Sequence, residues 1–449
     1  AIVGARNNGH QFIQNLYKEG IRNFVVSDKK CFDSNYKDSN FLFVKDTLQA
    51  LQLLAKQHRA CFNFPIIGIT GSNGKTIVKE WLFQLLKDDY NIVRSPKSYN
   101  SQVGVPLSVW QINEQHSLGI FEAGISLPNE MKNLAAVIQP QIGIFTNIGE
   151  AHAENFVNIQ QKIEEKLKLF EFSEQLIYCK DYELLHAAIK KSAIAQNVHL
   201  FTWSKKNSAD LLIVKIEKDK LETIIQGIYK NDFIQIVIPF VDDASIENAI
   251  HCWCLMLYLG INQQIINEKM HYLSPVAMRL ELKQGINNCS IINDSYNSDL
   301  GSLAIALDFL NQQNQHLNKT LILSDILQSG KEEEKLFAEV AAMCTAKGIN
   351  KFIGIGESLQ KNQHLFNFKQ EFYSSTDDFV RHFSATKFKD ETILIKGARL
   401  FKFEQISKLL QQKAHQTVLE VNLSALVNNI NYYRSNLKPS TKIMAMVKA

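Results

Sequence analysis

Phe64-Pro65-Ile66-Ile67-Gly68-Ile69-Thr70-Gly71-Ser72-Asn73-Gly74-Lys75-Thr76 is an apolar run that breaks into a glycine-flanked loop ending in Lys-Thr. A short, bounded run of this kind predicts a buried strand. The segment after it repeats apolar residues at helical spacing (Trp81, Leu82, Leu85, Leu86), so the loop joins a strand end to a helix N-terminus. Backbone N–H groups and the positive end of a helix then converge on one spot, which suits a phosphate. Gly71, Ser72, Asn73 and Gly74 would cradle it, Lys75 would add a point charge for the outer phosphates, and the Thr76 hydroxyl would ligate a magnesium ion bound to them. Ile69 stands where the first glycine of the common phosphate-loop pattern would fall. The bland alternative is a tight turn with a solvated lysine; the strand before the loop and the helix after it favour the phosphate.

Length and composition bound the rest. The 449 residues exceed what one core holds, and usual domain sizes suggest about three domains. With 45% hydrophobic and 21% charged residues the chain is ordinary globular material. Its 49 basic and 45 acidic residues leave a net charge of only +4, which implies neither a nucleic-acid nor a membrane-surface partner. No apolar stretch approaches the roughly 18 residues that insertion across a bilayer needs. Seven scattered cysteines without CxxC spacing argue for reduced thiols in a cytoplasm, with core packing as the role of Cys252 and Cys254. The chain opens without Met on a strand-like Ala1-Ile2-Val3 and is expected to be a fragment.

In order along the chain, residues 1–62 read as a small α/β unit whose Gly4-Ala5-Arg6-Asn7-Asn8-Gly9-His10 loop suits an anionic ligand. Over 63–275 strands alternate with helices, the pattern of a mostly parallel sheet covered on both faces, where ligands bind beyond the carboxyl ends of the strands. Two such ends carry polar residues: Leu118 to Phe121 runs into Glu122-Ala123-Gly124, and Ile142 to Phe145 into Thr146-Asn147-Ile148-Gly149-Glu150-Ala151-His152. A carboxylate and an imidazole at the mouth of a phosphate site are natural magnesium and phosphate partners. The following stretch, Lys162 to Phe170, reads on composition as a solvated charged face. Residues 276–413 alternate again, with strands near 289–293, 320–324, 351–355 and 392–396, which predicts a smaller doubly wound, Rossmann-like domain.

Taken together, Thr70 to Thr76, Glu122-Ala123-Gly124, Asn147 with Ala151-His152, and Lys166 with Leu169-Phe170 resemble, in order and spacing, the ATP-dependent Mur ligases of peptidoglycan synthesis. Downstream, Met278-Arg279-Leu280-Glu281, Ile292-Asn293-Asp294-Ser295-Tyr296-Asn297-Ser298 and Lys396-Gly397-Ala398-Arg399, with Gly4 to His10 upstream, look like motifs of the branch that handles D-alanyl-D-alanine. The resemblance covers about 1–413. It departs from the family pattern at Ala244-Ser245, ahead of Asn248 in the adenine loop, at Met278 for Gly, at Asp299-Leu300 for Asn-Pro, and in the absent start of the first domain. The tail, 414–449, is similar instead to the opening of alanine racemase, with Lys448 at the position of the lysine that binds pyridoxal phosphate. The chain is thus expected to be the ligase part of a ligase–racemase fusion, using pyridoxal phosphate only in its full-length form.

The resemblance implies a three-domain α/β architecture with a central phosphate-loop domain. It implies a reaction in which ATP activates the carboxylate of UDP-N-acetylmuramoyl-tripeptide for attack by D-alanyl-D-alanine. On it, Thr76 and Glu122 hold one Mg2+ and His152 with a carbamylated Lys166 a second, while Lys75, His152 and Lys166 serve catalysis. Asn248 faces adenine, Asp294 the ribose, and Arg279 the ribose or phosphates; Arg6, His10, Asn100, Tyr296, Asn297, Lys396 and Arg399 contact the substrates. Lys162 and Lys168 are expected to be surface lysines. A sister ligase adding another amino acid, or a nucleotide-binding module without ligase chemistry, are the alternatives; a dependence of ATP turnover on the acceptor separates them.

Overall fold

The computed structural model describes residues 1–3, 8–31, 36–149, 155–219, 221–296, 298–313, 315–327, 329–412, 423–438 and 440–442. Residues Ala1–Gln411 form one compact unit and Gln412–Ala449 another. The first unit is built on three sheets. The smallest pairs β1 (Asn23–Val26) with β2 (Asn40–Phe43) in parallel over a core of Ile13, Phe24 and Val26. Helix Thr47–Ala60, capped by Asp46 through Leu48 N–H and Gln49 N–H at 2.8 and 3.0 Å, leads from it onto the central body.

The central sheet has nine strands: β3 (Ile66–Thr70), β4 (Ile92–Arg94), β5 (Leu118–Glu122), β6 (Ile142–Phe145), β7 (Gln175–Cys179), β8 (His199–Ser204), β9 (Leu211–Lys218), β10 (Thr223–Tyr229) and β11 (Asp232–Ile238), in the order β11-β10-β9-β8-β7-β6-β3-β5-β4. Strand alternation sends Ile67 and Ile69 to one face and Ile66 to the other, with Ile120/Phe121 and Ile144/Phe145 splitting likewise. The first face is covered by helix Lys75–Leu86 and by Asp243–Tyr258, an almost wholly buried helix that carries Cys252 and Cys254; the second by helices that include Met131–Ile138 and Ile159–Leu167. Both cysteines are fully buried, as core packing requires. Strands β4 to β9 and β3 pair in parallel, but β9, β10 and β11 form an antiparallel meander where an alternation of strand and helix was expected. The cause is local: Lys230 and Asn231, at φ +50 and +71°, make the two-residue turn that matches the twist of a hairpin.

The third sheet runs β12 (Glu281–Gln284), β13 (Ser290–Asp294), β17 (Glu391–Lys396), β14 (Asn318–Ser324), β15 (Lys351–Ile355) and β16 (Lys369–Tyr373), parallel except for β12. Four of these strands fall where the sequence placed them; β12 and β16 are edge strands with alternating or exposed patterns that composition does not reveal. Helix Leu300–Gln312 starts at Asp299, whose carboxylate accepts from Ser302 N–H at 2.9 Å and from the Ser302 hydroxyl at 2.8 Å. That reciprocal cap explains why Asp-Leu works in place of Asn-Pro. In the second unit the described structure is helix Leu423–Ser435; the strand expected to end at Lys448, and Lys448 itself, lie outside the described residues.

Gly143 on β6 lets the Phe170 ring lie flat on the sheet: a Cβ there would stand 2.4 Å from Phe170 Cδ1, in a core where that ring is fully buried. Gly143→Ala should therefore destabilise the protein by about 1–3 kcal/mol, the usual cost of overpacking, read as a lowered midpoint in urea unfolding; an unchanged midpoint would show that the ring has room to move.

Candidate active site

Strand β3 lies between β5 and β6, so the loops beyond their carboxyl ends meet over one point. The loop after β3 needs its glycines. Gly71 has φ +148° and a Cβ there would fall 2.0 Å from Thr146 Oγ1; Gly74 has φ +82° and its Cβ would fall 2.3 Å from Asn248 Oδ1. The loop is splinted from the end of β6. Ser72 N–H donates to the Asn147 carbonyl at 2.9 Å, Asn73 N–H to Asn147 Oδ1 at 2.8 Å, Gly149 N–H to Ser72 Oγ at 2.8 Å, and the Thr146 hydroxyl to the Asn73 carbonyl at 2.5 Å. Thr146 is gripped in turn by His251, whose Nε2 lies 2.8 Å from its carbonyl while Trp203 Nε1–H donates to Nδ1 at 3.2 Å. Burial takes the His251 imidazole down to about 4, so it is a neutral strut.

Lys75 is no solvated lysine. Its ammonium folds over the loop and donates to the carbonyls of Gly71 and Ser72 at 2.8 and 2.9 Å. Burial pulls it down to about 8; Glu122 and Asp299 oppose that and Arg279 adds to it. Lys166, on helix Ile159–Leu167, is buried with Nζ donating to the same Gly71 carbonyl at 3.1 Å. Burial, then the neighbouring Lys75 and Lys162 charges, hold it well below the ordinary lysine range. Lys162 corrects the surface expectation: one turn before Lys166 on the same face, it is buried and donates to the Gly149 carbonyl at 2.5 Å. Lys168 is one-third exposed and paired with Glu165.

The Thr76 hydroxyl donates to Glu122 Oε2 at 3.0 Å and lies 3.0 Å from Ser98 Oγ; Asn100 Nδ2 is 3.4 Å from the same carboxylate oxygen. This is a set of hard oxygen donors around a fully buried carboxylate, the chemistry that fits Mg2+. Among the described residues no three His, Cys, Asp or Glu side chains gather as a metal cluster. His152, with Arg6 and Asn297, lies outside the described residues.

A cavity of about 410 Å3 opens over the loop, and Asn100, Lys166, Asn248, Arg279, Asp294, Tyr296 and Lys396 line it. Asp294 and Lys396, at the ends of the paired strands β13 and β17, form a buried ion pair at 2.6 Å. Arg279 stacks over Tyr296 at 4.3 Å and sits between two residues of positive φ, Met278 (+59°) and Leu280 (+51°). Met278 thus holds a left-handed backbone that favours glycine, at a strain of about 1–2 kcal/mol. Arg399 is exposed, 5.5 Å from the Tyr296 ring centroid and paired with Glu404 at 2.7 Å. His10 is away from the cavity, with both ring nitrogens engaged: Nδ1 with Asn8 Oδ1 at 2.7 Å, and Nε2 accepting from Ser27 N–H at 3.1 Å. Sequence reasoning missed Ser98 and the buried Lys79; the second was detectable as a lone cation one turn past Lys75 on an apolar helix.

Residues 69–256 match the family model of the Mur ligase middle domain. The structure superposes on the MurF ligase from Thermotoga maritima in complex with ADP at a TM-score of 0.74 and 19% identity, covering 91% of this chain and 92% of that one. The chain has the Mur ligase fold. It is also similar to the UDP-N-acetylmuramoyl-tripeptide--D-alanyl-D-alanine ligases of Bacillus subtilis, 27% identical with 91% of this chain and 88% of the relative covered, and Rickettsia prowazekii, 29% identical with 90% of each covered. In this Mur ligase fold the phosphate loop belongs to the matched middle domain, while Arg279, Asp294, Tyr296 and Lys396 reach the cavity from outside the matched range.

The Lys75 environment fixes the sign of a pH effect. Below pH about 8 the free site already carries the ammonium charge; above it the free lysine is neutral, and a bound polyphosphate must recharge it. ADP binding should take up protons around pH 8 and weaken as the pH rises further, by up to about tenfold per unit. Calorimetry in buffers of different ionisation enthalpy reads the uptake; binding without it at pH 8–9 would contradict the assignment.

Proposed function

We propose that this chain is an ATP-dependent ligase that joins D-alanyl-D-alanine to UDP-N-acetylmuramoyl-tripeptide in peptidoglycan synthesis. The carrying observation is one cavity that combines a phosphate loop with Arg279, Asp294, Tyr296 and Lys396 from the third sheet, in a chain related over nine-tenths of its length to enzymes named for that reaction. We place the reaction in the cytoplasm, in keeping with seven free thiols. No described helix is long and apolar enough to cross a membrane.

Amide formation from a carboxylate and an amine in water is uphill. A carboxylate oxygen of the tripeptide therefore bonds to the γ-phosphorus of ATP as the bond to the bridging oxygen breaks, giving an acyl phosphate and ADP. The amine nitrogen of D-alanyl-D-alanine bonds to the acyl carbon, inorganic phosphate leaves and the nitrogen gives up its proton. The loop amides and Lys75 neutralise the phosphates from fixed positions, stabilisation that costs no reorganisation during the reaction. Thr76 and Glu122 would hold Mg2+, and His152 with Lys166 a second ion; bound there, the metal supplies charge neutralisation between the phosphoryl group and the acceptor carboxylate. Asn248 would face adenine, Asp294 the ribose and Arg279 the phosphates, while Arg6, His10, Asn100, Tyr296, Asn297, Lys396 and Arg399 would contact the substrates.

Lys166 acts, on this proposal, as a carbamate. Addition of carbon dioxide needs a neutral amine, which burial and the adjoining cations favour here, and it converts a repelled ammonium into an oxygen ligand. Domain limits of 1–62, 63–275 and 276–413 accompany this reading. For 414–449 we retain the proposal of a racemase opening, with pyridoxal phosphate used through Lys448 only in a longer chain.

Phosphate release from ATP with UDP-N-acetylmuramoyl-tripeptide should respond to D-alanyl-D-alanine far more than to D-Glu, L-Lys or diaminopimelate. Preference for a single amino acid would move the assignment to a sister ligase, and turnover indifferent to any acceptor would leave a nucleotide-binding module. Lys166→Ala should lose ligation by on the order of 10²- to 10³-fold and regain part of it with added acetate, while Lys168→Ala stays active. Full activity of Lys166→Ala would sink the carbamate.

A further inference from the structure

The helix that begins with the phosphate-loop lysine carries a second lysine whose side chain never reaches the cavity. Lys79 is fully buried, and its Nζ donates to the Ser95 carbonyl at 2.7 Å and to the Lys97 carbonyl. It also lies 2.9 Å from Glu80 Oε1 and 3.0 Å from Glu122 Oε1. The two carbonyls take the hydrogen bonds, so Glu80 Oε1 and Glu122 Oε1 are held by charge; of these two, Glu122 Oε1 is the fully buried atom without a hydrogen-bond partner. The opposite oxygen, Oε2, is the one that faces Thr76 and Asn100. Glu80 is itself tied to Arg94 at 3.1 Å, so Lys79 is anchored on β4 and the segment after it, and is not free to follow Glu122 if the carboxylate turns.

We propose that Lys79 is a positioning residue that restricts Glu122 to a single oxygen toward the site and thereby selects a small octahedral cation over a larger one. The inference rests on the reading of Glu122 as a magnesium ligand. Mg2+ takes one oxygen per carboxylate in a near-ideal octahedron, at about 2.0–2.1 Å, whereas Ca2+ accepts bidentate carboxylates and more ligands at about 2.3–2.6 Å. A carboxylate with one oxygen pinned 3.0 Å from a buried ammonium can serve the first ion and is denied to the second in its preferred mode. Removing the ammonium frees Oε1, and the discrimination should relax.

The test measures ADP binding by calorimetry as a function of Mg2+ or Ca2+ in the full chain, for the wild type, Lys79→Met, Lys79→Gln and Glu122→Gln. Lys79→Gln keeps a donor for the Ser95 or Lys97 carbonyl and so preserves the comparison where the apolar variant folds poorly. In both Lys79 variants the ratio of half-saturating Ca2+ to Mg2+ should fall by about tenfold, with ligation rates in Mg2+ and Ca2+ converging alongside. A wild-type ratio in a folded Lys79 variant would reduce Lys79 to a structural brace and overturn the proposal. Glu122→Gln separates the two readings: it should lose most of the cation dependence, and if that dependence persists it is the assignment of Glu122 that fails.

Discussion

Two lysine nitrogens share one carbonyl oxygen, that of Gly71, and much of the molecule is arranged to make this possible. Lys75 reaches it from the helix that follows the loop and Lys166 from a helix on the opposite face of the sheet, at 2.8 and 3.1 Å. Burial holds both lysines below their ordinary range, and at Lys166 the neighbouring Lys75 and Lys162 charges lower it further. The loop carbonyls stabilise the arrangement in part. A bound polyphosphate would add anionic partners for the Lys75 ammonium.

Holding that geometry falls to neutral and backbone groups. Asn147 bonds the loop through both its carbonyl and its side chain, Thr146 fixes the Asn73 carbonyl, and His251 fixes Thr146 without bringing a charge of its own. Asn248, one turn before His251, packs against Gly74, so one buried helix, Asp243–Tyr258, supports the loop at two places. The cavity is completed by a cation, Arg279, set between two strained residues just before the third sheet, and by an ion pair at the ends of β13 and β17 whose charges cancel.

The fold was legible where sequence patterns carry one meaning. Buried parallel strands are short apolar runs, and those ending at Thr70, Glu122 and Phe145 could be placed because a polar or glycine-rich turn closes each. The meander β9–β11 was not, since its strands are half-exposed and its turn, Lys230-Asn231, is not the Asn-Gly that signals a hairpin most strongly. The grouping of Thr76 and Asn100, which touch the buried Glu122, and of Asp294, Tyr296 and Lys396 around one cavity followed the motif order. Lys162 and Lys79 escaped because sequence composition gives a lysine as solvated, and only tertiary structure supplies the carbonyls that allow its burial. The partners of both His10 ring nitrogens, Asn8 and Ser27, lie inside its own small unit and could not be read from the loop alone.

The central claim is that this cavity transfers the γ-phosphoryl group to a carboxylate before the amide bond forms. It is tested most directly by labelling the terminal carboxylate of UDP-N-acetylmuramoyl-tripeptide with oxygen-18 and analysing the inorganic phosphate released on ligation of D-alanyl-D-alanine. An acyl phosphate must carry one substrate oxygen into the phosphate, so one label per phosphate is the predicted result; unlabelled phosphate, released in step with amide formation, would contradict it.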